Sequence, residues 1–294
     1  MTMLLRELIG KGEDALSRLY PEREARQMVL SLLESLLGTM RYTHIVEPGY
    51  LVSDEDSEKV LDAFGRLSKG EPLQYVTGQA WFYGRCFNVT PDVLIPRPET
   101  EILCRTALEK AVTMEHAPQV LDLCTGSGCI AWTMALECSG SHVTAVDISD
   151  RALSVASSQD FSEELHASGA TVPEFVKADV LAGSLPGISA KYDIILSNPP
   201  YVTDSEKALM RKNVLDYEPA IALFVPDEDP LRFYRAVAAH AAELLSENGF
   251  GIVEINEAFG QETAEVFRKA GFPYAEVMED FSSRDRFVYF RKNP

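Results

Sequence analysis

The segment LDLCTGSGCIA, residues 121–131, is the clearest indication of the fold class, because an apolar strand-like run passes through a glycine-rich turn into a helix-like segment. Gly126 and Gly128 permit a tight turn and let a ligand approach the backbone at the start of the next helix. Dinucleotide-binding proteins carry a third glycine where this chain has Ala131. The carboxylate of Asp122, just upstream, would repel a pyrophosphate. The turn therefore predicts a cofactor that has no phosphate and carries a positive charge.

Strand-like and helix-like patterns alternate on both sides of this turn. The strand-like stretches in chain order are QVLDLC, HVTAVD, PEFVKAD, YDIILS and GFGIVEI, with helix-like segments between them. This alternation is typical of a doubly wound α/β fold with a parallel sheet. Two final stretches, AEVMED and RFVYF, predict a closing hairpin pair of strands.

The first 75 residues predict a small bundle of three amphipathic helices. The apolar stripe predicted for the first helix comprises Leu5, Leu8, Leu16 and Leu19. The third helix begins after Ser53 as N-cap, and its predicted stripe comprises Val60, Leu61, Phe64 and Leu67. We therefore divide the chain into a helical domain over residues 1–75, a β-hairpin and linker over 76–99, and an α/β domain over 100–294.

The composition argues against several classes of function. The chain of 294 residues carries a formal net charge of −18 and has no run of Lys or Arg longer than two residues. Direct binding of nucleic acid is therefore not expected, whereas a basic protein surface would be attracted. The five cysteines form no CxxC pair, and no metal site is predicted. Apolar stretches end before the ~20 residues that a bilayer span needs, so we expect a cytoplasmic protein without a membrane span.

Two further predicted strands end in acidic residues that suit an adenosine. Asp147 follows the glycine turn by about 20 residues, where a carboxylate can accept hydrogen bonds from ribose hydroxyls. Asp179 and Val180 end the next strand and could bracket an adenine ring. Ordinary turns and caps are the alternative, which is less favoured because three strand ends agree. The predicted cofactor-binding residues are Cys124, Thr125, Gly126, Ser127, Gly128, Asp147, Asp179, Val180 and Asn198.

The motifs LDLCTGSGCIA, VTAVDIS and ILSNPPYV together resemble those of class I S-adenosylmethionine-dependent methyltransferases. NPPY is the motif of members that methylate a planar exocyclic or amide nitrogen. IPRPETE, residues 95–101, resembles the signature of the PrmC/HemK family, and YEPAIAL and DRFV extend the similarity over nearly the whole chain.

This resemblance implies a Rossmann-like, doubly wound, mostly parallel seven-stranded methyltransferase sheet with an N-terminal helical domain that docks the substrate. It also implies transfer of a methyl group from S-adenosylmethionine to the side-chain amide nitrogen (N5) of the Gln in the Gly-Gly-Gln motif of peptide chain release factors. S-adenosylhomocysteine would be the second product.

The chemistry of an amide explains why NPPY, residues 198–201, follows a strand. An amide nitrogen is a weak nucleophile and must be oriented, because its lone pair is delocalised into the carbonyl. The side-chain carbonyl of Asn198 and the main-chain carbonyl of Pro199 can accept its two hydrogens. Pro200 stiffens the turn, and Tyr201 would pack flat against the amide. We predict Asn198, Pro199 and Tyr201 as catalytic and all four residues as substrate-binding, although NPPY alone is compatible with a rigid turn.

Three positions depart from the common family pattern. Cys124 stands where glycine is usual, which requires that this position does not need a positive φ. Asn256 replaces a frequent glycine, and Val180 replaces an aromatic residue found in some members.

Two groups of residues keep alternative interpretations. Arg97, Glu99 or Glu101 borders the cofactor or substrate pocket in one interpretation, and in the other the segment is only an extended linker. Tyr217, Glu218 and Pro219 either brace the NPPY loop or are ordinary residues of the buried packing.

The function also has alternatives. The same chemistry could act on a Gln of a ribosomal protein or on an adenine amino group, although the acidic composition disfavours nucleic acid. A noncatalytic scaffold that binds the cofactor belongs to another class, and the intact NPPY argues against it.

Overall fold

The computed structural model describes residues 2–294, which form two compact units. The helical unit contains the residues up to Gln79 and a later segment, Arg211–Tyr217. The α/β unit contains Ala80–Met210 and Glu218–Pro294.

The structure groups Arg211–Tyr217 with the helical unit, whereas the sequence-based division placed it in the α/β domain. Tyr217 donates a hydrogen bond from its hydroxyl to the main-chain carbonyl of Lys69 at 3.1 Å, and Arg211 forms an ion pair with Glu24 at 3.9 Å. These partners are about 150 to 190 positions away in the chain, so no local pattern marks the segment as part of the helical unit.

Twelve helices occur in the described residues. In chain order they are α1 (Leu5–Leu16), α2 (Glu22–Leu37), α3 (Thr43–Val46), α4 (Asp54–Leu67), α5 (Leu73–Thr77), α6 (Pro98–Ala111), α7 (Cys129–Glu137), α8 (Asp150–Ser157), α9 (Ser162–Ser168), α10 (Lys212–Tyr217), α11 (Arg232–Leu244) and α12 (Gly260–Lys269). Short 3₁₀ turns occur at Asp204–Leu209, Ala220–Ala222 and Glu257–Phe259.

The described residues also form thirteen strands. They are β1 (Met3–Leu4), β2 (Leu51–Val52), β3 (Gln79–Phe82), β4 (Arg85–Asn88), β5 (Gln119–Leu123), β6 (His142–Asp147), β7 (Glu174–Lys177), β8 (Tyr192–Ser197), β9 (Val202–Thr203), β10 (Phe224–Val225), β11 (Leu245–Glu254), β12 (Tyr274–Glu279) and β13 (Asp285–Arg291).

Seven strands form the central sheet in the order β12-β13-β11-β8-β5-β6-β7. All pairings among β11, β8, β5, β6 and β7 are parallel, and β13 is antiparallel to both of its neighbours. The predicted doubly wound, mostly parallel sheet is confirmed. The chain runs outward from β5 to β7 and returns on the other side of β5 to form β8, which creates a switch point between β5 and β8.

Both faces of this sheet are buried, as a parallel sheet requires. Successive residues of β5 point to opposite faces, so Val120 joins one apolar cluster whereas Leu121 and Leu123 join the other. Helices α6 and α7 supply the first cluster, and α11 and α12 supply the second. The sheet is therefore a rigid platform whose carboxyl edge carries the loops that follow β5, β6, β7 and β8.

The smaller predictions had mixed outcomes. The β-hairpin is confirmed as β3 and β4, and its connection Tyr83-Gly84 has φ of 49° and 76°, as a type I′ turn requires. Leu19 is wrong as a core residue and is 52% exposed, because α1 ends at Leu16 and helical spacing no longer applies. Leu61 is also wrong and is 38% exposed, beside the buried stripe of α4.

Ser53 is confirmed as the N-cap of α4, because its hydroxyl accepts a hydrogen bond from the main-chain N–H of Asp56 at 3.1 Å. Among residues 2–294, we find no helix with the length and apolar character needed to cross a bilayer.

Candidate active site

A cavity opens in the α/β unit at the carboxyl edge of the sheet, beside the switch point between β5 and β8. The structure places all but one of the predicted cofactor-binding residues in its lining. The exception is Gly128, which lies behind the turn, where an added Cβ would approach that of Ala156 to 3.0 Å. The predicted residues in the lining are Cys124, Thr125, Gly126, Ser127, Asp147, Asp179, Val180 and Asn198.

The glycine-rich turn depends on left-handed backbone conformations at three positions. Gly126 and Gly128 have φ of 56° and 80°, which glycine adopts without strain. Cys124 has φ of 65°, so this position does need a positive φ. The condition stated for tolerating Cys124, a position without a positive φ, is therefore not met, and the turn carries backbone strain on the order of 1 kcal/mol there.

Asp122 lies beneath the turn and does not line the cavity. Its side chain is fully buried, and its Oδ2 accepts a hydrogen bond from the hydroxyl of Thr125 at 2.5 Å. Burial raises the pKa of this carboxyl to about 7, and the hydrogen bond from Thr125 opposes the rise. The Oδ1 atom has no hydrogen-bond partner in the described structure. The sequence-based picture of Asp122 as a charge facing the ligand is therefore wrong, because its carboxyl is buried beneath the turn.

Asp147 links the turn to the end of β6. Its Oδ2 accepts a hydrogen bond from the N–H of Gly126, and its Oδ1 accepts one from the N–H of Ser149, each at 2.9 Å. Burial raises the pKa of Asp147, and these N–H groups work in the opposite direction. A carboxylate has about four acceptor sites, so capacity remains for two hydroxyl groups of a ligand.

Asp179 and Val180 lie on the same side of the cavity, after β7. The Oδ1 of Asp179 accepts a hydrogen bond from the N–H of Leu181 at 2.9 Å, which orients the carboxylate. Val180 is buried, and its main-chain carbonyl lies 2.9 Å from Nε2 of His240. An acid and an apolar side chain therefore border the cavity together.

The NPPY segment follows β8 at the other end of the cavity. Ser197 donates a hydrogen bond to the main-chain carbonyl of Leu123 at 2.7 Å and ties the end of β8 to β5. Asn198 and Pro200 line the cavity, whereas Pro199 and Tyr201 do not. The hydroxyl of Tyr201 is turned inward onto a buried carboxylate instead of the open space.

This carboxylate belongs to Glu254, the last residue of β11, and the sequence reasoning missed it. Its Oε1 accepts a hydrogen bond from Tyr201 at 2.9 Å, and its Oε2 accepts one from the hydroxyl of Thr100 at 2.7 Å. The Nδ2 of Asn198 lies 3.1 Å from Oγ1 of the same Thr100. A carboxylate at the end of the apolar run GFGIVEI was a visible signal, because buried acids are rare without partners.

Burial raises the pKa of Glu254, whereas the hydrogen bonds from Thr100 and Tyr201 and the positive charge of Arg286 oppose the rise. Burial also raises the pKa of the Tyr201 phenol, and the charge of Glu254 adds to that rise. Tyr201 therefore acts as a hydrogen-bond donor.

The IPRPETE residues separate into different roles. Arg97 lines the cavity and donates a hydrogen bond to Oε1 of Glu218 at 2.6 Å. Glu101 accepts a hydrogen bond from the N–H of Tyr83 at 2.9 Å and orients the β-hairpin, while Glu99 is exposed. Thus Arg97 alone of the three acidic and basic candidates borders the cavity.

Glu218, one of the residues considered as a brace of the NPPY loop, binds another segment, whereas Asn256 contacts the loop directly. Glu218 accepts hydrogen bonds from Arg97 and from the N–H of Ile95, so it holds the linker that precedes α6. Asn256 donates from Nδ2 to the main-chain carbonyl of Tyr201 at 3.2 Å. The departure from glycine at this position therefore supplies a contact to the loop.

The apolar side of the cavity was also missed. Ile221, Ala222 and Phe233 line it, and the first two belong to YEPAIAL, in which the sequence singled out only Tyr217, Glu218 and Pro219. In residues 2–294 no group of three or more His, Cys, Asp and Glu side chains is arranged to hold a metal ion.

Two family models match this chain. The PrmC N-terminal domain matches residues 7–78, and the Methyltransferase small domain matches residues 100–216.

Relatives and solved structures agree with these matches. The release factor glutamine methyltransferase of Bacteroides thetaiotaomicron is 39% identical over 275 residues, which cover 93% of this chain and 95% of that protein. The protein of the same name from Flavobacterium psychrophilum is 33% identical over 97% of this chain and 98% of its own length. The hMettl16 catalytic domain, solved with a MAT2A 3'UTR hairpin, aligns with a TM-score of 0.51 at 13% identity, covering 84% of this chain and 86% of that chain, which shows a shared fold.

Proposed function

Since this chain belongs to the release factor glutamine methyltransferase family, we propose that it methylates the Gln of the Gly-Gly-Gln motif in peptide chain release factors. The methyl group would come from S-adenosylmethionine and be added to the side-chain amide nitrogen. One observation carries the proposal: the amide of Asn198 has its nitrogen bound to Thr100 in the protein interior and borders a cavity that also contains Asp147. The reaction would take place in the cytoplasm, where release factors act.

The residues around the cavity fit an adenosine cofactor with a positive charge. Asp147 would accept hydrogen bonds from the ribose hydroxyls, and Asp179 with Val180 would border the adenine. The turn residues Cys124 to Ser127 would hold the rest of the cofactor close to the main chain. When bound, S-adenosylmethionine supplies an electrophilic methyl group on a sulfonium sulfur.

The protein's own contribution would be to orient the substrate amide. Asn198 would accept one amide hydrogen through Oδ1. Pro199 does not itself line the cavity but stands in sequence between Asn198 and Pro200, which do, and its main-chain carbonyl would accept the other hydrogen. Both hydrogens are then held in the plane of the amide, so the nitrogen presents its face for in-line displacement. The nitrogen becomes acidic only after it is methylated, so its extra proton can leave to water and no side chain has to act as a strong base.

The test is a methylation reaction on a purified, unmethylated release factor with S-adenosylmethionine, followed by intact-mass spectrometry and fragmentation. We expect one added methyl group on the Gln of Gly-Gly-Gln. A release factor with Glu in place of that Gln serves as the control and should gain no mass. Methylation of a ribosomal protein or of nucleic acid, with the release factor unchanged, would instead support one of the alternative substrates.

The helical unit is proposed to dock the body of the release factor. Large apolar side chains around α3 are each more than half exposed, which is unusual for a surface without a partner. They are Met40, Tyr42, Ile45, Val46 and Leu51.

A matched pair of variants tests this docking role. The double variant Ile45→Ser, Val46→Ser should raise the KM for the release factor about 10-fold and leave the KM for a Gly-Gly-Gln peptide unchanged. Val172→Ser changes a similarly exposed apolar residue of the α/β unit and should alter neither KM. Equal effects on protein and peptide would reject the docking role.

A further inference from the structure

We propose that Thr100 and Glu254 are positioning residues that hold the Asn198 amide in the one orientation in which its carbonyl faces the substrate. The inference rests on the proposed function, because it concerns how Asn198 is prepared to accept a hydrogen of the substrate amide. The three residues come from separate parts of the α/β unit: Thr100 from the first turn of α6, Asn198 from the end of β8 and Glu254 from the end of β11.

The direction of each hydrogen bond follows from the number of hydrogens available. Glu254 is 1% exposed, and as a carboxylate it can only accept. The single hydroxyl hydrogen of Thr100 is therefore directed at Oε2 of Glu254, 2.7 Å away. The Thr100 hydroxyl then has only lone pairs left for its second partner, so the Asn198 atom 3.1 Å from Oγ1 must be the NH₂ group. The carbonyl oxygen of Asn198 is left for the cavity.

Without this chain of contacts the two orientations of the amide are nearly equivalent, because its nitrogen and oxygen have similar size and shape. The rotated amide would offer hydrogens to the hydrogens of the substrate amide and could not accept either of them. Rotation of the Asn198 amide would also remove the hydrogen bond from its nitrogen to Thr100. It would place the amide oxygen against the lone pairs of the Thr100 hydroxyl, so that two acceptors would face each other. Loss of one such buried hydrogen bond corresponds to a population change of about 10- to 100-fold.

Glu254 also anchors the other end of the NPPY segment. Its second oxygen accepts a hydrogen bond from the hydroxyl of Tyr201, so one buried carboxylate holds Tyr201 directly and Asn198 through Thr100. This explains why Tyr201 is turned away from the cavity: its hydroxyl supports the loop from below. Thr100 is 2% exposed, so water does not compete freely for these contacts.

Isosteric substitutions at Thr100 separate positioning from packing. Thr100→Val keeps the shape and removes the hydroxyl, and we expect kcat to fall about 10- to 100-fold. The dissociation constant of S-adenosylmethionine, measured by calorimetry, and the KM for the release factor should stay within about 2-fold. Thr100→Ser restores the hydroxyl and should keep kcat within about 3-fold of the wild type.

Glu254→Gln is a second way to release the Asn198 amide from its fixed orientation, and it is used if Thr100→Val does not fold. A Gln side chain can donate to Thr100, which lets the threonine hydroxyl donate to Asn198 and favours the rotated amide. The kcat should again fall about 10- to 100-fold. The double variant should lose no more than the more severe single variant, since both changes disturb one chain of contacts.

Two kinetic results would overturn the inference. One is a kcat of Thr100→Val within 2-fold of the wild type. The other is a Thr100→Val variant whose main defect is weaker binding of S-adenosylmethionine, which would make Thr100 a cofactor contact.

A readout without turnover separates this inference from the proposed function. The side-chain NH₂ signals of Asn198 in a ¹⁵N spectrum, assigned with Asn198→Asp, should exchange slowly with solvent in the wild type and quickly in Thr100→Val. Slow exchange together with an unmethylated release factor would reject the substrate and keep the orientation. Fast exchange in an active wild-type enzyme would reject the orientation and keep the substrate.

Discussion

The two ends of the cavity are built in different ways. At the turn end, which comprises Cys124–Gly128 and Asp147, hydrogen bonds join residues 2, 3 and 21 positions apart. At the acceptor end, which comprises Asn198, Thr100, Tyr201 and Glu254, they join residues 53, 98 and 154 positions apart. One end is made by local chain geometry and the other by side chains that meet only in the folded protein.

This difference predicts different tolerance to substitution. The turn end presents main-chain N–H groups, which every residue except proline provides, so a residue such as Cys124 can replace a glycine at a modest cost in strain. The acceptor end uses one hydrogen for each contact, so the loss of any side chain leaves a buried polar partner unsatisfied. Changes at the acceptor end should affect turnover, and changes at the turn end should affect cofactor binding or stability.

The largest effect is expected for Asn198→Ala, because it removes an acceptor for the substrate amide. We expect kcat to fall by at least about 100-fold, since misplacement of a reacting group by 1 Å can cost that much. Cofactor affinity, measured by calorimetry, should change less than about 2-fold. A normal kcat would show that the acceptor mechanism is wrong, and a large loss of cofactor affinity would remove the distinction between the two ends.

Asp147→Ala should have the opposite profile. Loss of a charged acceptor for the ribose hydroxyls should raise the dissociation constant of S-adenosylmethionine about 10- to 100-fold. At saturating cofactor, kcat should stay within a few-fold of the wild type. Asp147→Asn is the matched control, because it keeps one oxygen acceptor and should show a smaller loss. A variant that loses kcat at saturation and binds normally would contradict this assignment.

The next effect concerns stability, and it comes from Asp122 beneath the turn. Its pKa is raised to about 7 in the folded state, so between pH 4 and 7 the folded protein holds a proton that the unfolded chain does not. The stabilisation that comes from this bound proton is therefore fully present below pH 4. It is lost progressively as the pH rises from there through 7. From pH 6 to pH 8 the loss is about 1.4 kcal/mol.

Urea unfolding of the wild type and of Asp122→Asn at these two pH values checks the prediction. The Asn side chain is neutral throughout, so the variant should lose about 1.4 kcal/mol less than the wild type over this range. The same pH dependence in both proteins would show that Asp122 is ionised in the folded state.

The smallest effect is expected for Cys124→Gly. Glycine relieves the strain of a positive φ at the cost of some chain entropy, so the free energy of unfolding should rise by about 0.5–1 kcal/mol. Cys124→Ala removes the sulfur without relieving the strain and serves as the control. Thermal unfolding should rank glycine above alanine, and the reverse order would show that packing of the sulfur outweighs the backbone strain.

Much of the fold was predictable because it rests on periodic patterns. The alternation of strands and helices, the closing strand pair and the N-cap at Ser53 each depend on residues close together in the chain. The stripe errors at Leu19 and Leu61 arose where the helix had ended or where a neighbouring side chain already faced the core. Segment Arg211–Tyr217 escaped prediction because its contacts are with residues far earlier in the chain.

The same distinction holds for the site. Local sequence patterns were enough to predict the glycine-rich turn, the acids at the end of β6 and just after β7 and the NPPY segment, because each motif lies within a few residues of one strand end. Tertiary packing is what buries Asp122, turns Tyr201 inward and brings Thr100 and Glu254 into one hydrogen-bonded chain with Asn198. Hydrogen bonds between distant residues form only when packing of the sheet brings strand ends together. Spacing along the chain therefore does not predict them.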